Sequence, residues 1–269
     1  MPKATVNGIN LYYQVHGRGE PLVLIQGLSG GHEGWFFQTR AFRRHYQVIV
    51  FDNRGIGKTD KPRESYTIKT MADDTIGLMD HLGIDKAHIL GMSLGGTVAQ
   101  ELAINYPKRL RKLALACTST GEGKITDIHP DMLRAIGVKD GSGEPDLRSV
   151  DFHQSMSIIA SLAFNKRLYR MVVVPLSKYH VKRVGVGGLL KQMEAIVAHR
   201  TVDRLHLIEA PTLVITGTED RIVSPRFSEE IASLIPNAKL VKVEGGSHAF
   251  NIEMRGTFNR EVLDFLKGS

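Results

Sequence analysis

The stretch Ala87-His88-Ile89-Leu90-Gly91-Met92-Ser93-Leu94-Gly95-Gly96 joins a short apolar run of strand type to a G-x-S-x-G turn. Thr97-Val98-Ala99-Gln100-Glu101-Leu102-Ala103-Ile104-Asn105-Tyr106 follows with helical spacing and stops at Pro107. Strand, tight turn and helix are the context a nucleophile elbow requires. Such a turn holds its serine in a strained backbone conformation, which is tolerable only if the residues two positions away on each side are small. Gly91 and Gly95 occupy those two positions. The Ser93 hydroxyl then stands at a helix N-terminus, where backbone N–H groups and the helix dipole favour developing negative charge.

Outward from the elbow, the chain alternates between strand and helix signals. Lys3 to Val6, an Asn7-Gly8 turn and Ile9 to Val15 read as a β-hairpin. Pro21-Leu22-Val23-Leu24-Ile25 and Gln47-Val48-Ile49-Val50-Phe51 are continuous apolar runs, as strands buried on both faces should be. Thr70 to Leu82 reads as a helix closed by Gly83, and Leu110 to Cys117 as a further strand. Near the end, Thr212 to Thr216 and Lys239 to Val243 read as strands flanking a helix over Pro225–Leu234, with a last helix over Gly256–Leu266. This order predicts a mostly parallel central sheet with helices on both faces.

One segment departs from the alternation. Between Glu122 and Arg204 there is no convincing core strand; the pattern is helical, with breaks at Lys139–Pro145 and at Val184-Gly185-Val186-Gly187-Gly188. The expected organisation is therefore a core made of residues 1–121 and 205–269, with 122–204 inserted as a helical cap. A cap in that place sits over the C-terminal strand ends, where ligands bind in open α/β sheets.

Composition bounds the remaining possibilities. Hydrophobic residues at 42% and charged residues at 23% describe a globular chain with enough apolar material for a core. No apolar h-region opens the sequence and no apolar run reaches membrane-spanning length, Met171–Val174 being cut off by Pro175. The single cysteine, Cys117, excludes an internal disulfide and fits a reducing, cytoplasmic setting, and its place at the end of an apolar strand reads as a small buried thiol. No H-E-x-x-H or clustered Cys/His set is present, so no metal is expected. Between Phe164 and Arg200, eight Lys and Arg residues face Glu194 alone, which accounts for the whole formal net charge of +7. This excess reads as a solvated helix face, or as a basic mouth that attracts an anionic or CoA-linked small-molecule ester. Nucleic acid does not fit, because no aromatic-interleaved basic groove or binding module is present, and Gly and Pro interrupt any long membrane-surface helix.

A serine hydroxyl needs a base to remove its proton, and in elbow hydrolases the chain order is serine, acid, histidine. Gly217-Thr218-Glu219-Asp220, ahead of Pro225, supplies the acid, and Gly245-Gly246-Ser247-His248 supplies the histidine. Both follow strands, so both fall on the same sheet edge as Ser93. His248 is assigned as general base and acid, and Asp220 as the group that orients it, with Glu219 as the rival. The oxyanion donors are assigned to the backbone N–H groups of Leu94 and of Leu28, the latter in the loop Gln26-Gly27-Leu28-Ser29-Gly30-Gly31. Trp35, Phe36, Met92 and Phe250 are candidate pocket walls, each equally readable as core.

With these loops and Asp52-x-Arg54-Gly55-x-Gly57, the chain resembles the α/β-hydrolase superfamily from about Asn7 to Leu266. It is most similar to the carboxylesterase and 3-oxoadipate enol-lactonase-like branch with a helical cap. The resemblance implies an α/β-hydrolase fold and a cofactor-independent serine esterase that works through an acyl-enzyme. Enol-lactone, acyl-CoA thioester or C–C bond hydrolysis remains open with the same triad, as do a hydrolase-fold ligand receptor and a perhydrolase or acyltransferase. An elbow serine sets aside the members that use aspartate there. The family usually has His-Gly in the oxyanion loop where this chain has Gln26-Gly27, so that loop's side-chain hydrogen bonding must differ. In the family the Asp52–Gly57 loop is structural, which keeps Arg54 out of the catalytic set.

Overall fold

The computed structural model describes residues 2–122, 129–138 and 150–268, with the backbone alone for 177–184. A hairpin opens the chain: β1 (Lys3–Val6) and β2 (Ile9–His16) are joined through Asn7 and Gly8, both at positive φ (44° and 76°). That is the two-residue turn whose twist matches antiparallel strands. There follow β3 (Pro21–Ile25), α1 (Phe36–Phe42), β4 (Gln47–Phe51), α2 (Ile68–His81), β5 (Ala87–Met92), α3 (Leu94–Asn105) and β6 (Leu110–Ala116). Helix α2 starts two residues before the expected Thr70, because the Thr67 side chain caps it and Thr70 bonds back in a capping box.

Helices α4 (Pro130–Ala135), α5 (Phe152–Ala163), α6 (Arg167–Val184) and α7 (Val186–Val197) occupy the stretch between β6 and β7, and its described residues hold no strand. The chain returns to the sheet with β7 (Thr212–Gly217), α8 (Pro225–Leu234) and β8 (Lys239–Val243), then ends in α9 (Phe250–Glu253) and α10 (Arg255–Lys267). The expected break at Lys139–Pro145 lies outside the described residues. The other expected break is narrower than its glycines suggest. Only Gly185 (φ 90°) interrupts the helices, while Gly187 and Gly188 lie inside α7.

Eight strands form one sheet in the order β1-β2-β4-β3-β5-β6-β7-β8, antiparallel at the first two pairings and parallel from β4 to β8. Alternate residues of the central strands feed two cores. Val23, Ile25, Ile89, Leu113 and Val214 pack on the α2, α3 and α8 side; Leu22, Leu24, Leu90, Ala114 and Leu213 pack with Trp35, Phe42, Phe258 and Val262 on the other. This alternation is why the strand sequences are apolar throughout. Arg54 is held by a bidentate ion pair to the buried Asp74, at 2.5 Å for both contacts, which fixes the loop after β4. Among the described residues no helix is long and apolar enough to cross a membrane.

Candidate active site

Ser93 follows β5 directly and caps α3 with φ 53° and ψ −122°, a region closed to most L-residues. Its N–H donates to Ala116 O at 2.9 Å, and its carbonyl accepts from Gly96 N (2.8 Å) and Thr118 Oγ1 (2.8 Å). The elbow glycines are needed for space as well as for conformation. A Cβ on Gly91 would overlap the Gly95 carbonyl, and one on Gly95 would overlap the carbonyl of Ile25.

Asp220 lies three residues past β7. Its Oδ1 accepts the N–H groups of Ile222 (2.8 Å) and Val223 (2.9 Å), which leaves Oδ2 directed at His248 Nδ1, 2.7 Å away. A carboxylate only accepts, so this contact puts the ring proton on Nδ1 and the lone pair of the neutral ring on Nε2. Gly217 and Gly246 press the acid and histidine loops together: a Cβ on Gly217 would overlap the Gly246 carbonyl, and Glu219 N–H donates to that carbonyl at 2.8 Å. Glu219 is exposed and its carboxylate accepts from Asn165 Nδ2 at 2.8 Å, so it takes no part in holding the ring.

Cys117 is buried, as expected for a small core thiol, but it stands at φ 47° with its sulfur within 4.8 Å of the Asp220 and His248 ligand atoms. Burial pushes its thiol well above the usual range, and the neighbouring Asp220 charge pushes it further. Its own chemistry is thereby suppressed.

Leu94 begins α3 and Leu28 lies in the loop after β3; among the described residues, neither backbone N–H donates a hydrogen bond within the chain. Both residues border the same cavity as Ser93 and His248. Gln26 shows how the loop manages without histidine. Its Oε1 accepts its neighbour's Gly27 N–H at 2.8 Å, and Asn53 Nδ2 donates to the Gln26 carbonyl at 3.0 Å.

The cavity is about 710 Å³ and runs from these groups into the helices between β6 and β7. Its walls are mostly apolar and include Met132, Ile136, Met156, Ile159, Val173 and Leu176. Met92 lines it as expected. The other three candidate walls do not: Trp35 and Phe250 are fully buried in the core under the sheet, Phe250 edge-on to Phe258, and Phe36 is 59% exposed on the outside. For Trp35 and Phe250 the aromatic type reported core burial, and for Phe36 it reported neither core nor pocket; the pocket is walled instead mainly by the aliphatic faces of α4 to α7. Of the eight basic residues counted above, Arg200 borders the cavity, with Nη1 bonded to the carbonyls of Val197 and His199. The side chains of Lys178, Lys182 and Arg183 lie outside the described residues.

Three residues without a sequence motif tie the helices α5 to α7 to the loops that carry Asp220, His248 and Leu28. Arg221, next to Asp220, donates through Nη2 to the carbonyls of Ser161 and Phe164 at 3.1 and 3.2 Å. Glu253 accepts from Lys166 N at 2.8 Å and from Ser247 Oγ, next to His248. Gln192 of α7 accepts from Ser29 N at 3.1 Å, next to Leu28. A polar residue on the same helix face as Leu189 and Met193 was the available signal for Gln192.

Residues 20–254 match the family described as alpha/beta hydrolase fold, and the chain belongs to that family and is a hydrolase of that fold. It is 28% identical to the enol-lactonase from Burkholderia xenovorans LB400, with a TM-score of 0.85 over 99% of this chain and 100% of the other. A hydrolase from Pseudomonas aeruginosa PA01 is 30% identical, with a TM-score of 0.84 over 98% and 97%. The RutD protein of Azorhizobium caulinodans, whose name proposes carbamate hydrolysis for it, is 27% identical over 98% of both chains. The expected likeness to enol-lactonase relatives is thus borne out.

Proposed function

We propose that this protein is a serine esterase that cleaves carboxylic esters through an acyl-enzyme, with Ser93, His248 and Asp220 as its triad. The observation that carries this reading is the Asp220 Oδ2–His248 Nδ1 contact at 2.7 Å, on a cavity that also holds Ser93 and two uncommitted N–H groups. Ser93 Oγ attacks the ester carbonyl as His248 Nε2 takes its proton, and the C=O becomes an oxyanion held by Leu94 and Leu28 N–H. Collapse expels the alcohol, which leaves with the proton from His248. Water attacks the acyl-enzyme, again with His248 as base, and the acid leaves as Ser93 is reprotonated. Residues 122–204 act as the cap, and the aliphatic walls favour an apolar group on the substrate.

A second reading, lactone or carbamate hydrolysis by the same triad, is favoured by the names of the relatives. The test is a panel of p-nitrophenyl esters of increasing acyl length beside an enol-lactone and a carbamate, each with wild type and Ser93→Ala. Ester turnover that vanishes in the variant supports the esterase, whereas Ser93-dependent turnover confined to the lactone or carbamate rejects it. Attraction of anionic esters by the basic cap is checked by salt: kcat/KM for anionic esters should fall with ionic strength faster than for neutral ones.

A further inference from the structure

Three consecutive peptide planes build the oxyanion loop, and each is pinned by a different bond. A trans peptide is planar, so fixing its carbonyl or its N–H fixes the other. The Gln26–Gly27 plane is held at both ends, by Asn53 Nδ2 on the carbonyl (3.0 Å) and by Gln26 Oε1 on the N–H (2.8 Å). The Gly27–Leu28 plane carries the proposed donor, Leu28 N–H, and is held by Gly30 N–H on the Gly27 carbonyl (3.0 Å). The Leu28–Ser29 plane is held by Gln192 Oε1, which accepts Ser29 N–H at 3.1 Å. Ser29 stands at φ 60°, a strained conformation that the loop must be made to keep.

The first two pins come from the loop itself and from Asn53 beneath it. The third comes from α7, more than 160 residues away in sequence. Gln192 is fully buried, and its amide is used at both ends, since Nε2 donates to the carbonyl of Arg54 at 3.2 Å. Arg54 is itself immobilised by Asp74, so the amide is braced against the core. One turn before Gln192, Gly188 packs directly on Gly55, which leaves α7 no room to slide. The Leu28 side chain also packs against the cluster of Phe152, Met156, Leu189 and Met193 from α5 and α7. Gln192 is not part of the cavity wall.

We propose that Gln192 is a positioning residue for the oxyanion hole: from α7 it holds the peptide plane after Leu28, and so restricts rotation about Leu28 of the neighbouring plane that carries Leu28 N–H. This rests on the serine-hydrolase reading above. Engagement of the helices between β6 and β7 then sets the strength of transition-state binding as well as the shape of the pocket. Because the oxyanion forms only in the reaction, losing the pin should lower kcat and leave KM nearly unchanged.

The experiment compares Gln192→Met, which keeps volume and removes both bonds, with Gln192→Asn, which withdraws the amide by one methylene. Both are measured beside wild type and Ser93→Ala on p-nitrophenyl acetate, butyrate and octanoate, with thermal melting as the check on folding. The expected result is a fall in kcat of about tenfold or more, smaller than the hundredfold or greater cost of deleting an oxyanion donor outright. KM should stay within about twofold at every chain length, because the lost interaction strengthens only in the transition state. Wild-type kcat in a folded variant overturns the proposal. So does a loss expressed through KM with an altered chain-length preference, which would make Gln192 only a fastening of the pocket wall. If Gln192→Met does not fold, Gln192→Asn decides by the same criteria. Absence of Ser93-dependent turnover in wild type overturns the underlying esterase reading instead, and the two failures cannot be confused.

Discussion

Gly188 in α7 packs against Gly55 in the loop after β4 so closely that a Cβ on Gly188 would overlap the Gly55 carbonyl oxygen. Gly55 itself is at φ 87°, and Tyr66 Oη donates to the adjacent Arg54 carbonyl at 3.3 Å. The contact joins the inserted helices to the core at backbone level. Gly188→Ala should therefore push α7 outward and destabilise the protein by about 2 kcal/mol or more, despite alanine's better helix propensity. Differential scanning calorimetry reads the change, and Gly187→Ala is the control, because a Cβ there meets nothing within 4 Å.

Ser93 gives a prediction of opposite sign. Its φ of 53° is tolerable for glycine and costly for serine. Ser93→Gly should abolish turnover and yet raise stability by about 1 kcal/mol, a melting increase of roughly 2–4 °C for a chain of this size. A melting temperature unchanged or lowered would mean that the elbow strain is relieved elsewhere.

The acid is tested by comparing Asp220→Asn with Glu219→Gln. Asparagine can still accept from Ile222 and Val223, but it no longer holds the His248 ring with its proton on Nδ1. Turnover should fall by about a thousandfold or more, as expected for the wrong tautomer, with little loss of stability. Glu219→Gln should remain within about twofold of wild type, as exposed substitutions away from the chemistry usually do.

His199 and Glu101 form a buried pair beneath the return to the sheet, with Nδ1 3.6 Å from Oε1 and Arg204 on the same carboxylate. Burial pushes the His199 ring down to about 4 against the upward pull of Glu101, so the ring is folded neutral at pH 7. A depressed imidazole means that the unfolded chain binds the extra proton first. Its contribution is complete above the unfolded value near 6.5 and declines as pH falls to about 4. Burial also raises Glu101, but the Arg204 hydrogen bond and charge outweigh it and hold the carboxyl below its usual range, so its contribution is lost in acid as well. Urea unfolding from pH 7 to 4 should show falling stability, and His199→Asn should flatten that fall.

Cys117 should be inert in the native state. It is completely buried and its thiol is pushed well above the usual range, so thiolate is scarce. A thiol-specific disulfide reagent should titrate one group in denaturant and none in buffer over minutes. Rapid native reaction would show an opening of the β6 end next to Asp220.

Much of the core was legible because its signals are local. Asn7-Gly8 announces a hairpin turn, Gly91-x-Ser93-x-Gly95 between an apolar run and a helical one announces the elbow, and the Asp220 and His248 loops follow their strands in the expected order. Local signals also misled. Trp35 and Phe250 are aromatic residues near the loops that carry Leu28 and His248, and nothing in their neighbours told that both turn into the core. His199 carries no local sign of a partner in its neighbours, and it is buried against Glu101, 98 residues earlier in the chain.

The sequence by itself determined the sheet, the elbow and the chain order of Ser93, Asp220 and His248. Each of these depends on residues within a few positions of one another, through turn conformation, apolar periodicity and the need for glycine where backbones approach. Only the tertiary structure decided which face of α7 meets the loop after β3, that Gln26 supplies the Gly27 N–H with an acceptor, and that Gly188 is a close contact with Gly55. These depend on how the inserted helices settle on the core, a choice made by shape and by buried hydrogen-bond satisfaction across long stretches of chain.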